Sequence, residues 1–195
     1  MTLFDRVAHR YNKFVGPFNL HEINDYLPLK SDALLIDFGG GTGRVAFQLS
    51  QHVSECIVFD LSYAMLQQAK NNSNKLSLIQ GSGENTPFRT NSINQIFLND
   101  SLHHIQKQRE TLEECYRILS PGGELIIREF DKKYFWNIFL IIGEAFLRFK
   151  SKFYSPKQLS EVCQEIGFKT NWVKPSKATF ILIAKKKANA FSLNF

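Results

Sequence analysis

Cysteine is scarce. Cys56, Cys115 and Cys163 are the three copies, far apart and odd in number. Neither a disulfide framework nor a metal-binding spacing follows from them. A reducing, cytoplasmic compartment is therefore expected. Long apolar runs are missing as well. The most apolar stretch, Tyr134 to Phe149, is interrupted by Glu144 and Arg148. It falls short of the ~20 apolar residues that a spanning helix needs. The opening "MTLFDRVAHR" carries charge where a signal peptide needs an apolar centre. Repeats and low-complexity linkers are absent, so a single domain over residues 1–187 is expected, with a tail at 188–195.

What charge there is does not point to nucleic acid. The formal net charge is +6, but Lys185, Lys186 and Lys187 stand together near the end, where such a run reads as a solvated tail. Basic residues interleaved with aromatics on one element, the mark of a nucleic-acid surface, are not seen. Apolar residues make up 44% and charged residues 22%, the balance of a soluble globular chain. Phenylalanine is abundant, at 18 copies. Such a surplus packs a core or lines an apolar pocket.

The chain alternates strand-like and helix-like segments. Phe4, Val7, Tyr11, Phe14 and Phe18 fall at helical steps, and Gly16-Pro17 should break that helix. Residues 1–30 thus read as a cap region. Strands are predicted at 33–38, 56–60, 76–81, 93–100 and 123–130. Helices are predicted after Gly43, over 63–71 behind the N-cap Ser62, and over 108–119. Pro121-Gly122-Gly123 reads as a turn before the fifth strand. A helix near 156–166, with Ser155 as its cap, precedes two strands separated by Pro175-Ser176-Lys177. The aromatic stripe at 134–150 reads as a lid helix. Strands alternating with helices imply right-handed crossovers and a mostly parallel, Rossmann-like α/β sheet with an antiparallel C-terminal pair. Ligands of such sheets bind beyond the carboxyl ends of the strands.

Those strand ends carry the informative residues. "LLIDFGGGTG", Leu34 to Gly43, ends a strand in an acid and then in glycines. A P-loop would need Lys where Arg44 stands. Gly41 to Ala46 satisfies the dinucleotide pattern G-x-G-x-x-G/A, which keeps a nicotinamide-dependent oxidoreductase as an alternative. Asp37 adds a third reading, because a strand-end acid suits a cationic ligand and repels a pyrophosphate. It can also simply order the turn. Asp60 ends the second strand and can accept from both hydroxyls of a ribose.

The run Asp37-Phe38-Gly39-Gly40-Gly41-Thr42-Gly43 resembles the first motif of class I S-adenosylmethionine (SAM)-dependent methyltransferases. "DLSYAML" at 60–66, "GSGENTPF" at 81–88, "LHHI" at 102–105 and "ECYRILSPGGELIIRE" at 114–129 are similar to further motifs of that family, in the same order. The likeness is greatest to the type 11 group, which includes quinone-biosynthesis methyltransferases. "FDRVAHRYN" also resembles that group's N-terminal helix. The resemblance implies a seven-stranded fold with SAM as cofactor. It implies cofactor contacts from Asp37, Gly39, Gly41, Gly43, Asp60, Leu61, Met65, Ser82, Gly83, Glu84 and Asn99. Ser82 departs from the family, which usually has an acid there to accept from the adenine amino group. Gly83 stands where alanine is usual, and is expected to let the backbone approach the adenine.

Methyl transfer from a sulfonium is an in-line displacement, so alignment matters most. A base is needed only if the acceptor loses a proton. His103 and His104 are the candidates; a helix-entry pair with no chemical role is the plainer reading. Asn99 and Asp100 can reach the methionine part of SAM, and Arg128 and Glu129 the substrate. Tyr11, Phe14 and the 134–150 helix are the expected lid. They imply a small apolar or aromatic acceptor, with peripheral membrane contact as a further option. A non-catalytic SAM-binding domain is the other alternative.

Overall fold

The computed structural model describes residues 3–15, 18, 20, 24–73, 76–131 and 152–188. The expected lid helix at 134–150, with any membrane-surface contact resting on it, lies outside the described residues. So do residues 189–195 of the tail. Helix α1 spans Leu3–Val15; the expected break at Gly16-Pro17 lies outside the described residues. Seven strands follow: β1 Leu34–Phe38, β2 Glu55–Asp60, β3 Ser77–Gln80, β4 Ile93–Asn99, β5 Leu119–Phe130, β6 Lys169–Val173 and β7 Thr179–Lys185. Helices α2 (Arg44–Leu49), α3 (Tyr63–Asn72), α4 (Gln108–Ile118) and α5 (Pro156–Ile166) lie between them.

The strand order is β3-β2-β1-β4-β5-β7-β6. Strands β1 to β5 pair in parallel, while β7 runs antiparallel to both β5 and β6. The expected Rossmann-like α/β sheet is therefore present. Successive residues of a strand face opposite sides, and here both sides are apolar. Ile36, Phe38, Ile96, Leu98 and Ile127 pack with Leu112, Cys115 and Cys163 of α4 and α5. Leu35, Val58, Phe97 and Ile126 pack with Val45, Ala46, Leu49 and Leu66 of α2 and α3. Continuous apolar runs are what two-sided burial of a parallel strand requires.

Local signals set the helix ends. Ser62 accepts a hydrogen bond from the Met65 N–H at 3.2 Å, as an N-cap should. Ser155 and Gln158 form a reciprocal capping box on α5, and Gly167 closes that helix in the left-handed region. One expectation needs correcting. Pro121-Gly122-Gly123 is not a turn before β5, because β5 runs through it from Leu119. The pairing with β4 shifts register between Ile93 and Gln95, so the extra residues bulge instead of reversing the chain. Gly122 sits there at φ +80°, which a side chain would resist.

Candidate active site

Strand β1 lies between β2 and β4, the two directions in which the chain leaves it. That switch point opens a cleft at the carboxyl ends. Asp37 is buried at its floor. Its Oδ2 accepts from the Ala46 N–H of α2 at 3.0 Å, so the acid orders the turn. A Cβ on Gly40 would lie 2.6 Å from that oxygen, so only glycine fits. Gly39 donates its N–H to the Phe59 carbonyl at 2.7 Å, and Gly43 donates to Gly40 at 3.0 Å. Gly41, at φ +56°, is the open face of the loop: the nearest group to a built Cβ is Met65 Sδ at 4.0 Å. Met65 is thus both buried and a border of the cleft.

Asp60 holds the loop from β2. Its Oδ2 accepts from Gly41 N–H at 2.9 Å and its Oδ1 from Ser62 N–H at 2.7 Å. Leu61 beside it is 56% exposed, at the rim. Across from Asp60, the Gly81 N–H donates to the Asp60 carbonyl at 3.1 Å. This brings the 82–84 loop to the same rim. Ser82 Oγ donates to Glu84 Oε2 at 2.5 Å, and Glu84 pairs with Lys107 at 3.4 Å. The missing acid is therefore replaced by a hydroxyl with a carboxylate directly behind it. Gly83 turns the other way. A Cβ there would meet Thr111 Oγ1 at 3.0 Å and Phe38 at 3.2 Å. Packing on α4 and β1 thus leaves no room for a side chain at Gly83.

Beyond β4, Asp100 is held at φ +50°. Arg128 Nη1 donates to Asp100 Oδ2 at 2.6 Å and to Asn99 Oδ1 at 3.2 Å. Arg128 thus ties the end of β5 to the post-β4 loop, while its buried Nε has no hydrogen-bond partner among the described residues. Among the described residues, nothing hydrogen-bonds to the buried Asp100 Oδ1. Burial pushes the Asp37 carboxyl up to about 7, against the pull of the Ala46 hydrogen bond. Burial pushes Asp100 up to about 6, with Arg128 opposing. Asp60 is also raised by burial, the Ser62 and Gly41 N–H groups opposing. Three carboxylates thus end three adjacent strands or their loops and share one poorly solvated cleft.

Helix α1 closes over this cleft. Asn12 Oδ1 accepts from Thr42 Oγ1 at 2.6 Å and Asp5 Oδ1 from Ser62 Oγ at 2.5 Å. Phe4 meets the His104 ring edge-on, with centroids 5.0 Å apart. Burial raises the Tyr11 phenol, Arg44 opposing and Asp100 adding to it. Arg44 itself is lowered by burial, with Tyr11 and Asp100 opposing. Sequence reasoning missed Asp5, Asn12 and Arg44. The available signal was spacing: Asp5 and Asn12 are seven apart, beside the apolar stripe of α1.

The two histidines separate in role. His103 is buried, and its Nδ1 lies 2.7 Å from Glu129 Oε2; its backbone N–H reaches Oε1 at 3.3 Å. His104 is pushed well below the usual imidazole range by burial, then by the His103 charge, so it is neutral at pH 7. The His103 ring stacks on Phe153 at 4.6 Å. It lines a cavity of about 10 Å³ with Glu129, Phe130, Tyr154 and Phe180. Ser101 Oγ donates to the Phe38 carbonyl at 3.1 Å, joining the post-β4 loop to the end of β1. The cavity lies between the post-β4 loop, the end of β5, β7 and the start of α5.

Residues 36–127 match the family model described as a methyltransferase domain. Over that span the chain is similar to that family. A demethylmenaquinone methyltransferase from Paenarthrobacter aurescens is 27% identical over 136 residues, covering 66% of this chain. The chain spans 54% of that relative's length. A SAM-dependent methyltransferase from Thermotoga maritima, described as a possible histamine N-methyltransferase, superposes with TM-score 0.75 at 21% identity. That match covers 95% of this chain and 98% of the other. The cyclase SpnF superposes with TM-score 0.78 at 16% identity, covering 96% and 95%. These superpositions establish the fold, and a fold does not set a reaction. The dinucleotide alternative finds no support in these matches.

Proposed function

We infer that this chain transfers the methyl group of SAM to a small aromatic acceptor of the quinol type. One observation carries the cofactor reading. Asp100 Oδ1 is buried and lacks a hydrogen-bond partner among the described residues, while Asp37 and Asp60 end the neighbouring strands. A buried orphan acceptor among carboxylates calls for a cationic donor. The ammonium and sulfonium of SAM are cationic; the pyrophosphate of a dinucleotide is not.

The remaining residues fit the same ligand. Arg44 is the cation available to a methionine carboxylate, and Gly41 leaves the loop open. Asp60 has lone pairs for ribose hydroxyls beyond its two backbone bonds. Ser82 can accept from an adenine amino group. When bound, SAM supplies an activated methyl group; the protein aligns it and excludes water. The name of the demethylmenaquinone relative supports a quinol-type acceptor. The buried free thiols of Cys56, Cys115 and Cys163 support the cytoplasm as its location. Among the described residues, no helix is long and apolar enough to cross a membrane. Titration calorimetry with SAM and S-adenosylhomocysteine tests the reading. Micromolar binding of both is expected, and a folded chain that binds neither would refute it.

A further inference from the structure

We propose that the outer face of α1 is a docking surface for an anionic lipid bilayer, which brings the cleft beneath that helix to the membrane. The surface needs no SAM, so the proposal goes beyond the reading above.

Helical spacing builds the face. Arg6, His9, Arg10 and Lys13 stand at i, i+3, i+4 and i+7 of α1. At 3.6 residues per turn they share an arc of about 100°. All four are exposed. The opposite side of the helix is already occupied. Phe4 meets His104, Ala8 is buried, and Asp5 and Asn12 bond to Ser62 and Thr42. The basic stripe therefore points away from the cleft.

The charge of the stripe is unanswered within the chain. Among the described residues, Arg6, Arg10 and Lys13 have no ion-pair partner. By contrast, Lys107, Arg117, Arg128 and Lys174 each pair with an acid. Asp5 is the one acid of α1, and its carboxylate is turned to Ser62. Cations so placed, with no acid between them, attract an anionic surface.

A bilayer suits the face better than a nucleic acid does. A nucleic-acid surface sets aromatic rings among its cations, on which bases stack. Among the described side chains of α1, the rings of Phe4 and Tyr11 belong to the opposite side. What borders the stripe is apolar. Leu61 and Tyr63 flank the Ser62 that bonds Asp5, and are 56% and 60% exposed. Exposed apolar and aromatic side chains beside Lys and Arg fit the boundary between headgroups and acyl chains. Each cation near an anionic surface strengthens binding about fivefold, so three amount to roughly 100-fold. Docking of that strength is reversible. An acceptor dissolved in the bilayer would meet the chain at the same surface.

Co-sedimentation of the full chain with vesicles tests this. One set is phosphatidylcholine alone; the other is equimolar phosphatidylcholine and phosphatidylglycerol. Wild type should bind the anionic set at least tenfold more tightly, and lose that binding above about 0.5 M salt. Arg6→Glu, Arg10→Glu and Lys13→Glu together should weaken it roughly 100-fold, with a thermal melt like that of wild type. The milder triple, Arg6→Gln, Arg10→Gln and Lys13→Gln, keeps helix propensity and should fall between. Lys169, Lys177 and Lys187 are exposed elsewhere. Changing those three to Glu gives the same net charge and should leave binding within threefold of wild type. Equal losses in the two Glu triples, equal binding to both vesicle sets, or no vesicle binding would overturn the proposal. So would binding of single-stranded RNA in place of vesicles, lost in the α1 triples, which would assign the face to a nucleic acid. Vesicle binding by a chain that binds no SAM would uphold the surface and remove only the methyl-transfer reading.

Discussion

Asp60 Oδ2 accepts a hydrogen bond from the Gly41 N–H at 2.9 Å, so the end of β2 holds the loop at the end of β1. The other oxygen caps the turn into α3 through Ser62. Asp60→Ala leaves two N–H groups without their acceptor, at about 1–3 kcal/mol. Urea melts should show that loss, and SAM should bind at least tenfold more weakly. Asp60→Asn keeps one acceptor and should fall between. An unchanged melt in the alanine variant would remove this tie from the account.

Two glycines should respond differently to alanine. Gly40→Ala puts a Cβ 2.6 Å from Asp37 Oδ2 and 2.9 Å from the Asp37 carbonyl. Backbone cannot yield there, so the variant should lose about 3 kcal/mol or more. Gly122→Ala meets nothing within 4 Å but keeps φ +80°. Strain alone should cost it about 1–2 kcal/mol. Thermal melts of the two proteins, compared directly, check the order.

Much of this was legible in advance. The central strands β1 and β2 announce themselves because both faces are buried and their runs are mostly apolar, whereas the edge strand β3 is only half-buried. Ser62 and Ser155 mark helix starts by their own side-chain chemistry. The Pro121-Gly122-Gly123 bulge was not legible, since those residues equally make a turn, and only the β4 register decides. The His103–Glu129 bond was not legible either. It joins residues 26 apart through strand register, which no local pattern encodes.

The acid cluster predicts a pH dependence. Asp37 and Asp100 have folded-state values raised to about 7 and about 6, so the folded state binds more protons than the unfolded chain above pH ~4. Their contribution to stability is full below the ordinary carboxylate pKa and is lost as pH rises through 6 to 7. For Asp37 alone this is a few kcal/mol. Unliganded chain should melt lower at pH 8 than at pH 5, and Asp37→Asn should flatten the trend. A cationic ligand favours the ionised acids. SAM should therefore bind more tightly at pH 8 than at pH 5.5 and release protons on binding. Calorimetry in buffers of different ionisation heat measures both; proton uptake would contradict the assignment.

Ser82 and Glu84 should behave as one unit. Ser82→Ala and Glu84→Gln should each weaken SAM binding about 3- to 10-fold. The double variant should be no worse than the poorer single one, as expected for directly bonded partners. Ser82→Asp should not improve affinity, because its carboxylate would face that of Glu84. Additive losses in the cycle would show that the hydroxyl and the carboxylate act apart.

Helix α1 is fastened to the glycine loop at Asn12, to α3 at Asp5 and to His104 at Phe4. The same helix thus touches the cofactor side and the acceptor side. If a molecule is seated beneath it, lifting of α1 is the expected way out. Residence time would then depend on the helix as well as on the contacts inside the cleft. Turnover would be paced by detachment of thirteen residues, and amide exchange along α1 is the clock that reads it.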